Sequence, residues 1–394
     1  MSTRRVLIVG ASIAGPALAW WLHRYGFAVT VVERAPAVRP GGYKIDIRGA
    51  AIDVVEQMGL KDRLEGLGTD MQFMSFVNSA GKRLVSVPAD LFMGRGEADL
   101  EVMRGDLSQI LYDETRADVE YLFGDTITEL DPATGAVSFQ HAESRTFDLV
   151  IGADGLHSAV RELAFGSDDV VHDLGHIVSI GTVPNHLALD RWELVYSVPG
   201  RTMNLYSTGR SEDAKVLFLF TAPNLSYDRR DVEQQQKILN DTFHGAGWES
   251  DRLLDAIVRS DDFYFDTVSQ VQLTRYSVDR VSLVGDAAYC PAFTSGQGTS
   301  LALVGAYVLA GELSRSNHRT AFTHYERLMR PYVARNLKLG RDNLGRMVSK
   351  SALQSWFGAM MLRVLPKMPG RNAMIAKVTQ PIHDAARAIT LPRY

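Results

Sequence analysis

Gly10-Ala11-Ser12-Ile13-Ala14-Gly15 follows the apolar run Val6–Val9, and a second apolar stretch, Ala28–Val32, ends in Glu33-Arg34. Residues of this type at this spacing suit anion recognition. Gly10 permits a tight turn, Gly15 lets a helix pack closely on the strand, and the helix N-terminus offers free N–H groups to phosphates. Ser12, Ile13 and Ala14 fill the part of the turn that approaches a pyrophosphate, with Ser12 standing where glycine is common. Glu33 lies 18 residues after Gly15, where a carboxylate can accept hydrogen bonds from ribose hydroxyls. A second constellation lies far along the chain. Gly285-Asp286 closes the run Val281–Val284, and Gly296-Gln297-Gly298-Thr299-Ser300 opens another helix. Asp286 can bind ribityl or ribose hydroxyls, while the N–H groups around Gly298, Thr299 and Ser300 can stabilise negative charge on a reduced ring. A short nicotinamide site has no use for this second region, so the pair of sites points to FAD.

Both constellations need strands that end at one edge of a sheet. Val6–Val9, Phe147–Gly152 and Arg280–Val284 read as buried parallel strands. Pro16–Tyr25, Ala50–Met58, Arg104–Ala117 and Thr299–Leu313 read as helices, with Pro40-Gly41-Gly42 as a turn. Glu193–Val198, Thr202–Thr208 and Lys215–Thr221 form an antiparallel meander, followed by amphipathic helices over Asp231–Ala246 and Arg252–Ser260. The chain from Tyr325 onward reads as mostly helical. The expected fold is therefore α/β: a Rossmann-like FAD-binding domain (1–70, 101–170 and 276–345) interrupted by a mostly antiparallel β-sheet substrate domain (71–100 and 171–275), with a C-terminal helical segment (346–394).

Composition removes several classes of function. The 394 residues carry 42 Lys+Arg against 46 Asp+Glu, a net charge of −4, which offers no basic face for nucleic acid. Cys290 is the single cysteine, so no disulfide framework or Cys-pair metal site can form, and redox chemistry must come from a cofactor. The histidines show no metal spacing; His172/His176 sits in a β context. Arg4-Arg5 before an apolar stretch could begin a secretory signal, but Gly10 and Gly15 favour a strand, turn and helix. The uncharged stretch from Ala287 to Gly311 except Pro291, Gly296 and Gly298 would be long; with them it is too interrupted to span a bilayer. A cytoplasmic protein without stable membrane association is expected.

Three stretches together resemble the flavoprotein aromatic hydroxylase family, the single-component FAD-dependent monooxygenases. They are Gly10–Gly15 with Glu33-Arg34, Ala153-Asp154-Gly155-Leu156-His157-Ser158-Ala159-Val160-Arg161, and Gly285-Asp286-Ala287-Ala288 through Gly298. The resemblance implies noncovalent FAD, with NAD(P)H (NADPH favoured) as a transient reductant and O₂ as co-substrate. It implies that Asp154 serves both FAD and the nicotinamide, that Arg104 reaches the pyrophosphate, and that Asp46 and Arg48 lie near the flavin. The sequence departs from the family pattern at Tyr289, at Cys290-Pro291-Ala292-Phe293 and at Ser300.

The implied reaction inserts one oxygen atom of O₂ into a small aromatic or polyketide-like molecule through a flavin 4a-hydroperoxide. No protein acid or base is assigned to it. Competing readings are a flavin reductase or dehydrogenase without oxygen insertion, and a non-catalytic flavin binder. Met203, Tyr206, Phe218, Phe220, Tyr289, Pro291 and Phe293 are expected to line the substrate pocket, in a monomer or homodimer. Trp356-Phe357 and Met360-Met361 read as a packed tail helix.

Overall fold

The computed structural model describes residues 3–39, 41–166, 170–349, 351, 360 and 371–394. Pro40 of the expected turn, and Trp356, Phe357 and Met361 of the tail, lie outside the described residues.

Four strands whose residues have few polar atoms to satisfy stack side by side in parallel, each buried on both faces. Leu149–Gly152, Arg5–Val9 and Ala28–Glu33 form the centre of a six-stranded sheet. Val281–Leu283 flanks the first of them in parallel, Glu120–Phe123 flanks the last, and Ser277–Val278 adds an antiparallel edge. This arrangement delivers the Gly10 turn, Ala153-Asp154 and Gly285-Asp286 to the same end of the sheet. Helix Gly298–Arg315 is buried along nearly its whole length and packs against helix Ala14–Arg24.

A seven-stranded sheet runs in the order Tyr264–Val271, Val171–Pro184, Asp213–Thr221, Arg201–Ser207, Trp192–Val198, Phe73–Val77 and Arg83–Pro88. Its pairs are antiparallel except Trp192–Val198 with Phe73–Val77. A short ribbon, Lys44–Ile47 with Leu100–Met103, lies beside it. The sequence reading left out a three-stranded sheet, Ile127–Asp131, Ala136–Phe139 and Arg145–Thr146.

Register decides which face of the large sheet is core. Met203 pairs with Tyr196 and Phe218, and these side chains, with Phe220, pack against Leu239, Phe243, Leu253, Leu254 and Ile257. Met203, Phe218 and Phe220 are thus core residues under helices Val232–Phe243 and Ser250–Ile257, not pocket lining. Tyr289 is also corrected. It is fully buried, its hydroxyl is 3.0 Å from that of Tyr325, and it fits only because Gly305 presents no side chain to it. Helix His318–Met347 begins before Tyr325 because Asn317 caps it, accepting from the Thr320 N–H. No helix among the described residues is long and apolar enough to cross a membrane.

Candidate functional site

Gly10 turns with φ +108°, and a Cβ there would come within 2.5 Å of the Ala153 carbonyl oxygen. Two loops therefore meet backbone to backbone, which only glycine permits. Glu33 bridges this turn: its Oε2 accepts from the Ala11 N–H (2.8 Å) and its Oε1 from the Ala35 N–H (2.9 Å). Arg104, at the start of helix Arg104–Asp113, donates from Nη2 to Ser12 Oγ at 2.7 Å. Helix Ala14–Arg24 starts beside them with no side-chain cap and no acid in its first turn. Its N-terminal N–H groups are thus left to an anion.

The second constellation repeats the arrangement. Helix Gly298–Arg315 also lacks a side-chain cap and a first-turn acid. Asp286 Oδ1 would lie 3.8 Å from a Cβ at Gly298. Asp286 as a whole is exposed, yet its carboxyl is crowded by protein, and this burial raises its pKa against the opposing pull of Arg104 and a hydrogen bond from Cys290. Both observations hold for a carboxylate at the bottom of an open groove. Gln297 is fully buried with neither amide atom hydrogen-bonded.

Four predicted residues, Asp46, Arg48, Ser300 and Asp154, have local duties. Asp46 is buried and ion-paired with Arg48 (2.9 Å) and Arg95 (2.9 Å). Burial alone would raise its carboxyl, but the two guanidiniums hold it below the usual range. Arg48 spends its Nη1 on the Met93 and Gly94 carbonyls, and its backbone N–H on Ser300 Oγ at 3.0 Å. Ser300 thus braces Arg48 with its hydroxyl. The pair sits beneath the Gly296 turn, since a Cβ at Gly296 would lie 3.7 Å from Asp46 Oδ2. Asp154 accepts from Ser158 Oγ (2.5 Å) and the Val160 N–H (3.1 Å), shaping the start of helix Ala159–Phe165. Arg34 is exposed at the end of its strand, and Thr299 is buried in the first turn of its helix. Pro291 is buried, with its carbonyl accepting from Gln270 Nε2, while Phe293 is partly open.

Sequence reasoning missed several residues on the rim. Arg39 lies within electrostatic reach of Glu33, Arg34 and Arg104. Tyr43 likewise lies within electrostatic reach of Arg104, Asp286 and Cys290. Tyr264 faces Tyr43, Cys290 and Asp266. Only Arg39, in a basic Arg34–Arg39 stretch, had a local signal; the others come together through long-range packing.

An FAD fits this groove on the structure's own terms. It offers two uncapped helix N-termini, a turn with no side chain at Gly10, an arginine beside the first and a half-open carboxylate beside the second. The chain matches a model described as an FAD binding domain over residues 3–337. It is 41% identical over 344 residues to a flavin-dependent monooxygenase from an unknown prokaryotic organism, covering 86% of this chain and 89% of that one. The chain belongs to the FAD-dependent monooxygenases. A second member of the family, from Legionella longbeachae serogroup 1, is 38% identical over 342 residues, covering 85% and 87%. The crystal structure of the tetracycline destructase Tet(55) superposes with a TM-score of 0.85 at 37% identity, covering 100% of this chain and 99% of that one.

In this monooxygenase the raised Asp286 carboxyl makes a prediction with a definite sign. A folded pKa above the unfolded value means the native state binds more protons in that window. Stability then falls as pH rises through it. Flavin-free Asp286→Asn protein should therefore melt above wild type at pH 7, with the difference shrinking as pH falls toward about 4. Its FAD affinity should drop by about 1.5–3 kcal/mol through loss of a charged hydrogen-bonding group. Calorimetry across pH and FAD titration check both; a pH-independent difference with undiminished FAD affinity rejects the placement.

Proposed function

We propose that this FAD-dependent monooxygenase oxygenates a neutral, polycyclic aromatic or polyketide-like substrate held against the groove face of the seven-stranded sheet. The observation that carries this reading is the character of that face. Val178, Ile180, Leu219, Val268, Ala292 and Leu344 form an apolar cluster, with Tyr43, Leu217, Phe293 and Met347 partly open around it. Two cations of this wall are already paired, Lys44 with Glu193 at 2.6 Å and Lys215 with Asp262 at 2.8 Å. Neither is free to clamp a substrate carboxylate. The tetracycline destructase likeness supports the same substrate class.

In this reading FAD is noncovalent, with Gly10, Ser12, Ile13, Ala14, Gly15, Glu33 and Arg104 at its adenosine and pyrophosphate end. Asp286, Gly296, Gly298 and Thr299 would hold its other end. Asp46, Arg48 and Ser300 support the Gly296–Gly298 turn from below. Bound FAD, reduced by NAD(P)H, supplies the oxygen-activating chemistry. The protein orients it, offers N–H groups to its negative charge and keeps water from the reacting face. Tyr206 belongs to the wall: its hydroxyl accepts from the Lys44 N–H at 3.1 Å, on the face opposite Met203. A buried single cysteine and the need for nicotinamide favour a cytoplasmic setting.

Substrate-stimulated NADPH oxidation, measured across neutral polycyclic phenols and simple aromatic carboxylates, tests the substrate class. Stimulation by the polycyclic compounds is expected; stimulation by the carboxylates alone overturns it. Phe293→Ala should retain FAD and keep consuming NADPH while product falls and hydrogen peroxide rises, because an apolar shield on the wall is lost. An unchanged ratio of product to NADPH would make Phe293 ordinary packing.

A further inference from the structure

Strand Tyr264–Val271 is the edge of the large sheet, and its register pairs Tyr264 with Ile180 and Asp266 with Val178. Ile180 and Val178 belong to the apolar wall, so Tyr264 and Asp266 share the groove face. Asp266 is buried at 6% exposure, a carboxylate that must be fully partnered to remain charged there. Its Oδ2 accepts from the Tyr264 hydroxyl at 3.2 Å and lies 2.8 Å from His157 Nε2. Its Oδ1 accepts from the Thr267 N–H at 2.8 Å and from the Tyr227 hydroxyl at 3.3 Å. His157 stands at the protein surface, and Tyr264 keeps 46% of its surface open. A phenol in the groove is thus joined to a solvent-facing imidazole through one buried oxygen.

We propose that Tyr264, Asp266 and His157 form a relay that carries protons from solvent into the groove during turnover. The inference rests on the monooxygenase reading, whose balance requires a proton. Substrate–H, O₂, NAD(P)H and one H⁺ give substrate–OH, NAD(P)⁺ and water. The hydride and the proton leave in the water with the oxygen atom that is not inserted. A groove that excludes bulk water needs a route for that proton.

The groups around the relay suit the task. Burial would raise Asp266, but the His157 hydrogen bond and charge, with the Thr267 N–H and Tyr264, hold it below the usual carboxylate range. It therefore stays an anion that can hold a proton only in passing. Burial of the Tyr264 hydroxyl, with the charge of Asp266, pushes its pKa far up, so the phenol passes a proton on only as it receives another. Tyr43 and Cys290 face Tyr264 from the groove, and Cys290 also faces Asp286 and Asp266. Tyr227, with Arg229 nearby, closes the far side of Asp266. A proton taken up by His157 moves to Asp266 Oδ2 and on to the Tyr264 oxygen as that hydroxyl releases its own proton toward the groove; Asp266 is again an anion, Tyr264 again a phenol, and water reprotonates His157.

The experiment uses the FAD-loaded enzyme with His157→Gln, His157→Ala and Tyr264→Phe, each checked for wild-type melting temperature and FAD content. The expected result is a fall in kcat of roughly 100-fold, the scale of positioned acid–base groups, with KM for NADPH unchanged. Added imidazole should restore His157→Ala in a saturable manner, since the site opens to solvent. Independently of activity, NMR spectra of the flavin-free protein should show the His157 ring resonances displaced in Asp266→Asn, because that substitution alters the group 2.8 Å from His157 Nε2. Unchanged kcat overturns the relay. So does a loss confined to KM for NADPH, or a His157→Ala defect that imidazole cannot repair. Wild-type enzyme that consumes NADPH without forming oxygenated product would instead reject the monooxygenase reading, leaving the NMR result to judge the His157–Asp266 link.

Discussion

Gly15→Ala is expected to yield protein that is both colourless and destabilised. A methyl group at this position would come under 3 Å from the Gly10 carbonyl oxygen, and within 3.3 Å of the Ile8 side chain. The obstacle is backbone, which has no rotamer to change. Gly10 cannot retreat, because its own Cα faces the Ala153 carbonyl and the Asp154 Cα. Helix Ala14–Arg24 must therefore lift from strand Arg5–Val9 or push the Gly10 turn off the Ala153–Asp154 loop. Overpacking of this kind costs about 1–3 kcal/mol. Any such shift also parts Ser12 from Arg104 and Ala11 from Glu33, the contacts that shape the pyrophosphate end. Melting temperature and the ratio of flavin to protein absorbance report the two losses separately. A yellow Gly15→Ala protein with wild-type stability would show that the turn tolerates a side chain.

What could be read from the residues alone followed the range of the interactions. Val6–Val9 and Leu149–Gly152 are continuous apolar runs because both faces are covered, and such runs announce buried strands. Glycines at fixed offsets from those runs announce the turns. The large sheet illustrates the limit. Alternation along Arg201–Ser207 already puts Met203 and Tyr206 on opposite faces, so the two could not both have lined one pocket. Which face is covered depends on helices Val232–Phe243 and Ser250–Ile257, and nothing local to Met203 states that. The Asp46–Arg48 pair reads as a site feature until Arg95, 49 residues away, is seen to share the carboxylate. His157 and Asp266, 109 residues apart, are joined only by the folded chain. Polar pairs buried between separate segments leave no periodic trace, so the sites they build are the least legible part of the protein.

Gly298→Val should lose FAD for a different reason, and without loss of stability. The nearest atom to a Cβ at Gly298 is Asp286 Oδ1 at 3.8 Å, an ordinary contact. Gly298 opens helix Gly298–Arg315, and valine in a helix costs less than glycine in its interior. The flavin-free protein should therefore melt at or slightly above the wild-type temperature. The added isopropyl group would stand beside Asp286, in the space where a ring must approach the first turn of the helix. The N–H groups and the positive end of the helix dipole remain, so any lost affinity is steric rather than electrostatic. FAD affinity should fall by about 100-fold or more, roughly 3 kcal/mol, as expected when a rigid ring cannot reach its seat. Gly298→Ala should fall between the two, since one methyl group intrudes less than three carbons. The decisive comparison is with Gly15→Ala: both variants lose the yellow colour, but only Gly15→Ala loses melting temperature. Full flavin loading in Gly298→Val would move the ring away from this helix and with it the whole assignment of the second constellation.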